Sequence, residues 1–371
     1  MTAAVSIAAG RDFYVPAFEV RMLAGGKLPR EVQRDVLQVT FRDGLDTIPQ
    51  VDLTINNWDV AKRAFKYSDS DLFDPGKELT VAMGYHGGTP LTTMINARIV
   101  TCRASFPSSG APALTVGAQS ILMRKLQREK KPGPYETEET DEAIAAVIAQ
   151  RVNVPVRTDQ SARAGKIKIS PVMQGNESTL AFLLERARRI DYEVLVDELG
   201  GGKSRLYFGP TSGVATVVHR LAYGSTLSEF QPALDTLDQV GKVVVNAWDG
   251  VTKAALTGRA ERSQVRLTTA GSAAAQRAAE DSFGDREEIV SDASVKTQEE
   301  ADQRALAVLR ENAKKMLTAT GSVVGLPGLR AGAVVEIDKV GSRFRGRYVL
   351  TSTTHTIGGG GYTTGFECRH E

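Results

Sequence analysis

The sequence predicts a mainly β protein with α+β insertions, and three observations support this fold class. Apolar and polar residues alternate through most of the first hundred residues, which is the pattern of half-buried strands. A mixed segment follows between about residues 121 and 225, with two helix starts. The last fifth of the chain consists of short runs rich in Val, Ile, Tyr and Thr separated by glycines, which is typical of a small antiparallel barrel.

Length and composition set the limits for this interpretation. A chain of 371 residues with 42% hydrophobic residues is expected to divide into two to four domains, each with its own core. The net charge of +2 gives no electrostatic reason to expect specific nucleic-acid binding or a cationic partner. No apolar run is long enough to span a bilayer, and the N-terminus lacks the basic region of a secretory signal, so we expect synthesis in the cytoplasm and no membrane insertion.

The two cysteines, Cys102 and Cys368, lie far apart in sequence, each in a strand-like run. Their positions permit a disulfide without supporting one. The prediction is two reduced, half-buried thiols.

Residues 1–120 are predicted to form one antiparallel β domain. Asp43-Gly44 and Asp74-Pro75-Gly76 supply turn chemistry, and His86-Gly87-Gly88 turns the chain back toward another strand. The alternating apolar residues, expected on inward faces, are Phe18, Val20 and Met22, then Leu37, Val39 and Phe41, then Val51, Leu53 and Ile55, then Leu79, Val81, Met83 and Tyr85, then Ile95, Ala97 and Ile99.

Residues 121–225 are predicted to form an α+β domain. Thr140 before Asp141-Glu142 is typical of a helix start with acidic residues in the first turn. A second helix is expected from about Ser178 to Ile190, followed by a hairpin around a Gly-rich turn.

Residues 226–371 are predicted to form a second β-barrel. The strand Val243–Asp249 opens it, a loop or exposed insertion occupies about 258–294, and a helix over about 297–316 starts with the capping box of Thr297 and Glu300. The glycine-punctuated strands from Gly325 close it.

One internal echo links the two β regions. The segments 51–59 and 243–249 both run as a strand into Trp-Asp. Such a short match arises either by chance or from two duplicated barrels, and the sequence leaves both explanations open.

Three sequence features suggest catalytic or binding sites. Gly200–Ser204 ends like a phosphate-binding loop, but Asp197 stands where that motif needs a glycine and a strand follows the serine, so a hairpin turn is predicted. The acidic run Glu136, Glu138, Glu139, Asp141 and Glu142 could offer paired carboxylates, but a solvated face is predicted. The basic run Arg124, Lys125, Arg128, Lys130 and Lys131 lacks the aromatics that stack on bases and is predicted to be an exposed or subunit-facing surface.

The four histidines are His86, His219, His355 and His370, and no two of them have metal-ligand spacing on a helix. His86 is expected in a turn and His355 on a strand. We therefore predict no catalytic, cofactor-binding or metal-binding residues, no cofactor, and no enzymatic activity.

Four segments together resemble the phage tail hub family, the late control D proteins, which also forms the hub portion of type VI and contractile injection spikes. They are the segment from Gln174 to Ile190, the segment from Leu227 to Gly250, the helix opened by Thr297, and the block from Gly325 to His355. The strand that ends in Asn56-Asn57-Trp58-Asp59 fits as well. The resemblance covers most of the chain through the order and spacing of its segments.

This resemblance implies two small tube-forming antiparallel β-barrel domains plus smaller α/β domains, assembled as a homotrimer. Two similar barrels in each of three chains would let the trimer adapt a hexameric tail tube to the central spike. The implied partners are the tail tube ring, a separate spike or tip protein, and baseplate wedge and LysM-type proteins. The location implied is a phage virion or a contractile injection particle.

Two other functions remain open at this point. The acidic run could serve a carboxylate-dependent glycoside or cell-wall hydrolase, which needs two carboxyl groups roughly 5 to 9.5 Å apart across a cleft. A carbohydrate-binding β module would instead present an exposed aromatic platform.

Overall fold

The computed structural model describes residues 5–6, 15–87, 90–135, 140–159, 162, 164–169, 171–214, 218–265 and 286–370. Within them the chain is mainly β with helical insertions, which confirms the predicted fold class. The helices are α1 (Arg30–Asp35), α2 (Ile121–Arg128), α3 (Asp141–Arg151), α4 (Thr179–Arg189) and α5 (Gln298–Lys314). None of the described helices is both long and apolar enough to cross a membrane.

The strands of the N-terminal region are β1 (Val5–Ser6), β2 (Pro16–Met22), β3 (Gly26–Lys27), β4 (Val36–Gly44), β5 (Gln50–Asn56), β6 (Trp58–Asp59), β7 (Ala64–Phe65), β8 (Glu78–Tyr85), β9 (Thr92–Ser105) and β10 (Ala113–Ser120). The middle of the chain forms β11 (Gly133–Tyr135), β12 (Val156–Arg157), β13 (Val172–Gln174), β14 (Glu193–Gly200), β15 (Lys203–Gly209), β16 (Val218–Ala222) and β17 (Leu227–Leu234). The remaining strands are β18 (Lys242–Asp249), β19 (Ala254–Glu261), β20 (Glu287–Ser291), β21 (Leu317–Val324), β22 (Val334–Asp338), β23 (Gly346–Gly358) and β24 (Gly361–His370).

A single 14-stranded sheet joins the N-terminal and C-terminal β regions. Strand β23 makes the connection. Its first part pairs with β22, and its later part, Ser352–Ile357, pairs antiparallel with Val39–Gly44 of β4. The N-terminal and C-terminal β regions therefore share main-chain hydrogen bonds, although each keeps a hydrophobic core of its own.

The N-terminal core is formed by the inward faces of β2, β4, β5, β8, β9 and β10. The alternation holds for most of the predicted residues, but Leu37 is 55% exposed whereas Val36 is buried. The pairing of β4 with β5 shifts register between Val36 and Gln38, and a shift of one residue moves side chains to the opposite face. The inward prediction for Leu37 was wrong for this reason.

The short helix α1 covers part of the open edge of β2 through one side chain. Gln33 accepts a hydrogen bond from the N–H of Val20 at 3.3 Å and donates one to the carbonyl of Phe18 at 3.1 Å. An amide side chain thus pairs with main-chain groups in place of a neighbouring strand. Uncovered edge strands promote association with other chains.

The α+β segment has its own core between α2, α3, α4 and the sheet of β12, β14 and β15. Both predicted helices are confirmed. Thr140 and Ser178 cap them by accepting hydrogen bonds from the N–H groups of Ala143 and Ala181.

Residues 242–261 and 287–291 differ from the predicted second barrel. Strand β18 lies in a separate three-stranded sheet between β19 and β20, and α5 packs against one face of that sheet. The predicted loop over about 258–294 contains the end of β19 and all of β20, while residues 266–285 lie outside the described part. The helix from the Thr297 capping box is confirmed.

The C-terminal β region has a core of its own. Its residues come from β16, β17, β21, β22, β23 and β24 and from the loops between them. The final pair forms a tight hairpin in which Gly358 pairs with Gly361, so Gly359 and Gly360 make the turn. The glycine run was predicted to separate these strands, and it does.

Asp43 was predicted to supply turn chemistry, but it lies in β4 and is buried. Its carboxylate accepts from Arg330 Nε at 2.6 Å and from the hydroxyl of Thr353. These contacts lie where β4 meets the C-terminal strands. The sequence gives no local signal for the ion pair, since Arg330 is 287 positions from Asp43.

Neither cysteine is in a disulfide. The prediction of two half-buried thiols was wrong in detail, because Cys102 is exposed on β9 and Cys368 is buried on β24.

Candidate functional site

The Trp-Asp echo corresponds to two hairpins with the same local structure. In the first hairpin, residues 58–65, Trp58 pairs with Phe65 and Asp59 with Ala64. In the second hairpin, residues 248–255, Trp248 pairs with Ala255 and Asp249 with Ala254. Each Trp-Asp strand end is therefore joined to its partner by a four-residue loop, residues 60–63 or 250–253, in the same register.

The aspartate of each hairpin stabilises its loop by accepting hydrogen bonds from loop N–H groups. Asp59 Oδ1 accepts from the N–H groups of Ala61 and Lys62, both at 3.0 Å. Asp249 Oδ1 accepts from the N–H groups of Val251 and Thr252 at 2.8 and 3.3 Å. In both loops the donors are the second and third residues after the aspartate, which is the Asx-turn arrangement.

These contacts favour the ionised form of both aspartates. The hydrogen bond from the Lys62 N–H lowers the pKa of Asp59 below its ordinary value. The hydroxyl of Thr252 and then the N–H of Val251 lower the pKa of Asp249. In both cases the carboxylate is engaged by its own loop.

Each loop ends with a basic residue in the left-handed backbone region. Arg63 has a φ of 50° and Lys253 a φ of 56°. Few residues other than glycine adopt this conformation. The two loops therefore agree in length, turn hydrogen bonds, backbone conformation and the type of residue at the last position.

Both tips expose apolar side chains. Val60 is 78% exposed on the first hairpin, and Val251 is 91% exposed on the second. The first hairpin also carries an aromatic cluster, in which Phe65 lies 5.3 Å from Trp58 and 5.0 Å from Phe106 between ring centroids. Exposed apolar residues that lie together mark interaction surfaces more often than isolated ones do.

The aromatic cluster does not form a flat platform. The planes of Trp58 and Phe65 make an angle of 61°, and those of Phe65 and Phe106 an angle of 70°. On the second hairpin Trp248 is 52% exposed and pairs with an alanine. Edge-to-face rings suit a knob that enters a protein pocket better than a surface on which a sugar ring stacks.

The segment Gly200–Ser204 is the hairpin turn that the sequence predicts. Gly200, Gly201 and Gly202 all have positive φ values, and the turn joins β14 to β15. The turn packs on the N-terminal region, since the side-chain amide of Asn96 donates to the carbonyl of Lys203 at 3.1 Å and to Glu198. Its role here is to join the α+β segment to β9.

Of the acidic run that was predicted to be a solvated face, the structure describes Asp141 and Glu142, and Asp141 does not fit that prediction. Asp141 is buried and accepts from Arg186 Nε at 2.5 Å, and Glu142 accepts from the hydroxyl of Tyr192 at 3.4 Å. Burial raises the pKa of Asp141, which the Arg186 charge opposes. The other three glutamates of the run lie outside the described residues.

The basic run lies on and just after α2, mostly at the surface. Lys125 donates to the carbonyl of Val152 at 2.7 Å, so part of the run anchors α3.

The histidines lie in separate places. His86 is in a bend and His355 on β23, as predicted, while His219 is on β16 and His370 ends β24. His355 is fully buried, and its Nε2 lies 2.7 Å from the Leu329 carbonyl, which can only accept. Nε2 is thus the protonated nitrogen, and Nδ1 accepts from the hydroxyls of Tyr362 and Thr364.

The family model for the Alg8 N-terminal domain matches residues 16–359 of this chain. This family is not the tail hub family that the sequence segments resemble. No curated protein matches the chain.

Several solved structures share the fold. The 43 kDa tail protein of prophage MuSo2 from Shewanella oneidensis has a TM-score of 0.69 at 13% identity, covering 95% of this chain and 98% of that one. A tail protein from Neisseria meningitidis MC58 has a TM-score of 0.69 at 12% identity, covering 96% and 97%. A component of the type VI secretion system of E. coli, itself similar to T4 tail proteins gp27 and gp5, has a TM-score of 0.53 at 13% identity, covering 91% and 74%.

Proposed function

We propose that this chain has a non-enzymatic role as a baseplate hub. It belongs to the Alg8 N-terminal domain family, and it has the fold of phage tail proteins. In this role a homotrimer adapts the hexameric tail tube to a central spike in a contractile phage tail or a related injection particle. Its location would be a virion or such a particle.

The observation that carries the proposal is the pair of matched hairpins. One chain presents the same loop twice, so a trimer would present it six times, in keeping with a partner of sixfold symmetry. The domain boundaries at residues 120 and 225 and the tube-forming character of the two β regions belong to this proposal. The three-stranded sheet of β18 would then be part of the second unit, because it supplies the second hairpin.

The other partners follow from the same role. A separate polypeptide would supply the spike or tip, and baseplate wedge and LysM-type proteins would bind the outside of the ring. The fold of the E. coli type VI secretion component supports a place in this class of machines.

Within the part of the chain that the structure describes, the exposed aromatic cluster of the first hairpin is the feature that favours a carbohydrate-binding module. The angles of 61° and 70° between its rings leave no flat platform, and the second hairpin lacks the cluster. Protein docking accounts for both hairpins, so we retain the structural role.

The oligomeric state tests the proposal most directly. Native mass spectrometry and light scattering on the purified chain at micromolar concentration should show a trimer, and cryo-electron microscopy of the particle tip should place it between tube and spike. A strictly monomeric chain that is absent from the particle tip would contradict the proposal.

A further inference from the structure

The two hairpins share one loop backbone. Their loop length, Asx hydrogen bonds and left-handed last residue coincide, so side chains at the same loop position point in corresponding directions. Any surface complementary to one loop backbone is therefore complementary to the other.

The projecting side chains also agree in chemistry. Each tip exposes one valine, Val60 at the first loop position and Val251 at the second, and each loop ends with a basic residue, Arg63 or Lys253; the first loop has a further lysine, Lys62, next to Arg63. The only acidic residue of each loop region, Asp59 or Asp249, is held by backbone N–H groups of the loop itself. Each tip thus combines an aliphatic knob with a neighbouring positive charge.

We infer that the two tips are equivalent docking elements, each binding an apolar pocket with an acidic rim that a homo-oligomeric protein partner presents in repeated copies. The apolar pocket follows from the exposure of the valines, since removing an aliphatic side chain from water is favourable. The acidic rim follows from charge complementarity with Arg63 and Lys253. The repetition follows because one chain carries two loops of the same backbone, each with an exposed valine in its first half and a basic residue at its end.

This inference rests on the proposed function for the identity of the partner, which is the ring of the tail tube protein. It adds the contact residues and their pairwise equivalence.

The experiment measures binding of the full chain to purified tail tube protein of the same particle, by biolayer interferometry at two salt concentrations. The variants are Val60→Asp, Val251→Asp and the double variant. Leu237→Asp is the matched control, because Leu237 is 72% exposed and lies outside both hairpins. Circular dichroism and light scattering establish that every variant is folded and keeps the oligomeric state of the wild type.

We expect each single variant to weaken binding at least about tenfold and by similar factors, the double variant to abolish it, and Leu237→Asp to bind normally. Arg63→Glu and Lys253→Glu should also weaken binding, and less so at high salt. Loss of binding in only one single variant would overturn the equivalence.

Normal binding by the double variant would overturn the inference and leave the hub function standing. Failure of the wild-type chain to bind would overturn both. If the double variant is folded but no longer oligomeric, the tips contact a second copy of this chain, and the inference is wrong.

Discussion

Arg330 donates from Nε to Oδ2 of Asp43 at 2.6 Å, and this ion pair ties the C-terminal β region to strand β4 of the N-terminal one. Asp43 retains 6% of its side-chain exposure and Arg330 24%, so water screens the pair only in part. The guanidinium also lies 4.6 Å from the centroid of Phe41. The shared sheet and this pair both connect the two β regions.

Replacing Asp43 with Asn should lower the free energy of unfolding by about 2 to 4 kcal/mol, because it leaves the Arg330 charge without its partner in a mostly dry site. Asp52→Asn is the control, since Asp52 pairs with Arg42 at the same 2.6 Å distance but with exposures of 35% and 45%. That variant should lose less than about 1 kcal/mol. Urea denaturation followed by circular dichroism measures both, and equal losses would contradict the importance of burial.

The buried imidazole of His355 predicts a loss of stability in acid. Burial lowers its pKa from 6.5 to about 4. Between these values the unfolded chain binds a proton that the folded chain does not, so stability falls as the pH drops through this window and levels off below it. The contribution is about 2 to 3 kcal/mol between pH 7 and 4.5, on the basis of about 1.4 kcal/mol per pKa unit.

His355→Gln removes this titration while keeping a donor and an acceptor. The free energy of unfolding of the variant should fall less between pH 7 and 4.5 than that of the wild type, by the amount above. Parallel curves for wild type and His355→Gln would contradict the low pKa of His355.

The hydrogen bonds of Gln33 to the edge of β2 lead us to expect that removing them promotes self-association. Gln33→Leu should leave the N–H of Val20 and the carbonyl of Phe18 without their partners, at a cost of about 1 to 3 kcal/mol. The uncovered edge should also increase aggregation at high protein concentration, as measured by light scattering. Gln38→Leu is the control, because the side chain of Gln38 donates to the side chain of Thr40 on its own strand and not to main-chain groups of β2. Identical behaviour of the two variants would show that Gln33 does not protect the edge.

The matched loop conformations predict matched effects of glycine. Arg63→Gly and Lys253→Gly should each stabilise the fold by about 0.5 to 1 kcal/mol, because glycine adopts a positive φ without the cost borne by other residues. Lys62→Gly should destabilise instead, since Lys62 does not have a positive φ. Thermal unfolding measures all three. Opposite signs for Arg63→Gly and Lys253→Gly would show that the hairpins are not equivalent.

Much of the site could be anticipated from the Trp-Asp echo, because Asx turns depend on neighbouring residues. The exposure of Val60 and Val251 could not be anticipated, because an isolated valine in a loop carries no sign of which way it points. The aromatic cluster was also missed, since Phe106 joins Trp58 and Phe65 only through the pairing of β9, β10 and β5.

The sequence alone determined the features that depend on nearby residues. These are the alternation of the N-terminal strands, the helix caps at Thr140, Ser178 and Thr297, and the tight turn between Gly358 and Gly361. In each case the partners in the interaction are a few positions apart, so the residue types themselves specify the geometry.

Only the tertiary structure decided which strands meet. The fusion of both β regions through β23, the separate sheet of β18 and the burial of Asp43 all depend on contacts between residues far apart in sequence. Leu37 faces outward because the register against β5 shifts at that point. A local pattern records that a strand forms and which residues alternate, whereas its neighbours and register depend on the free energy of the whole packed sheet.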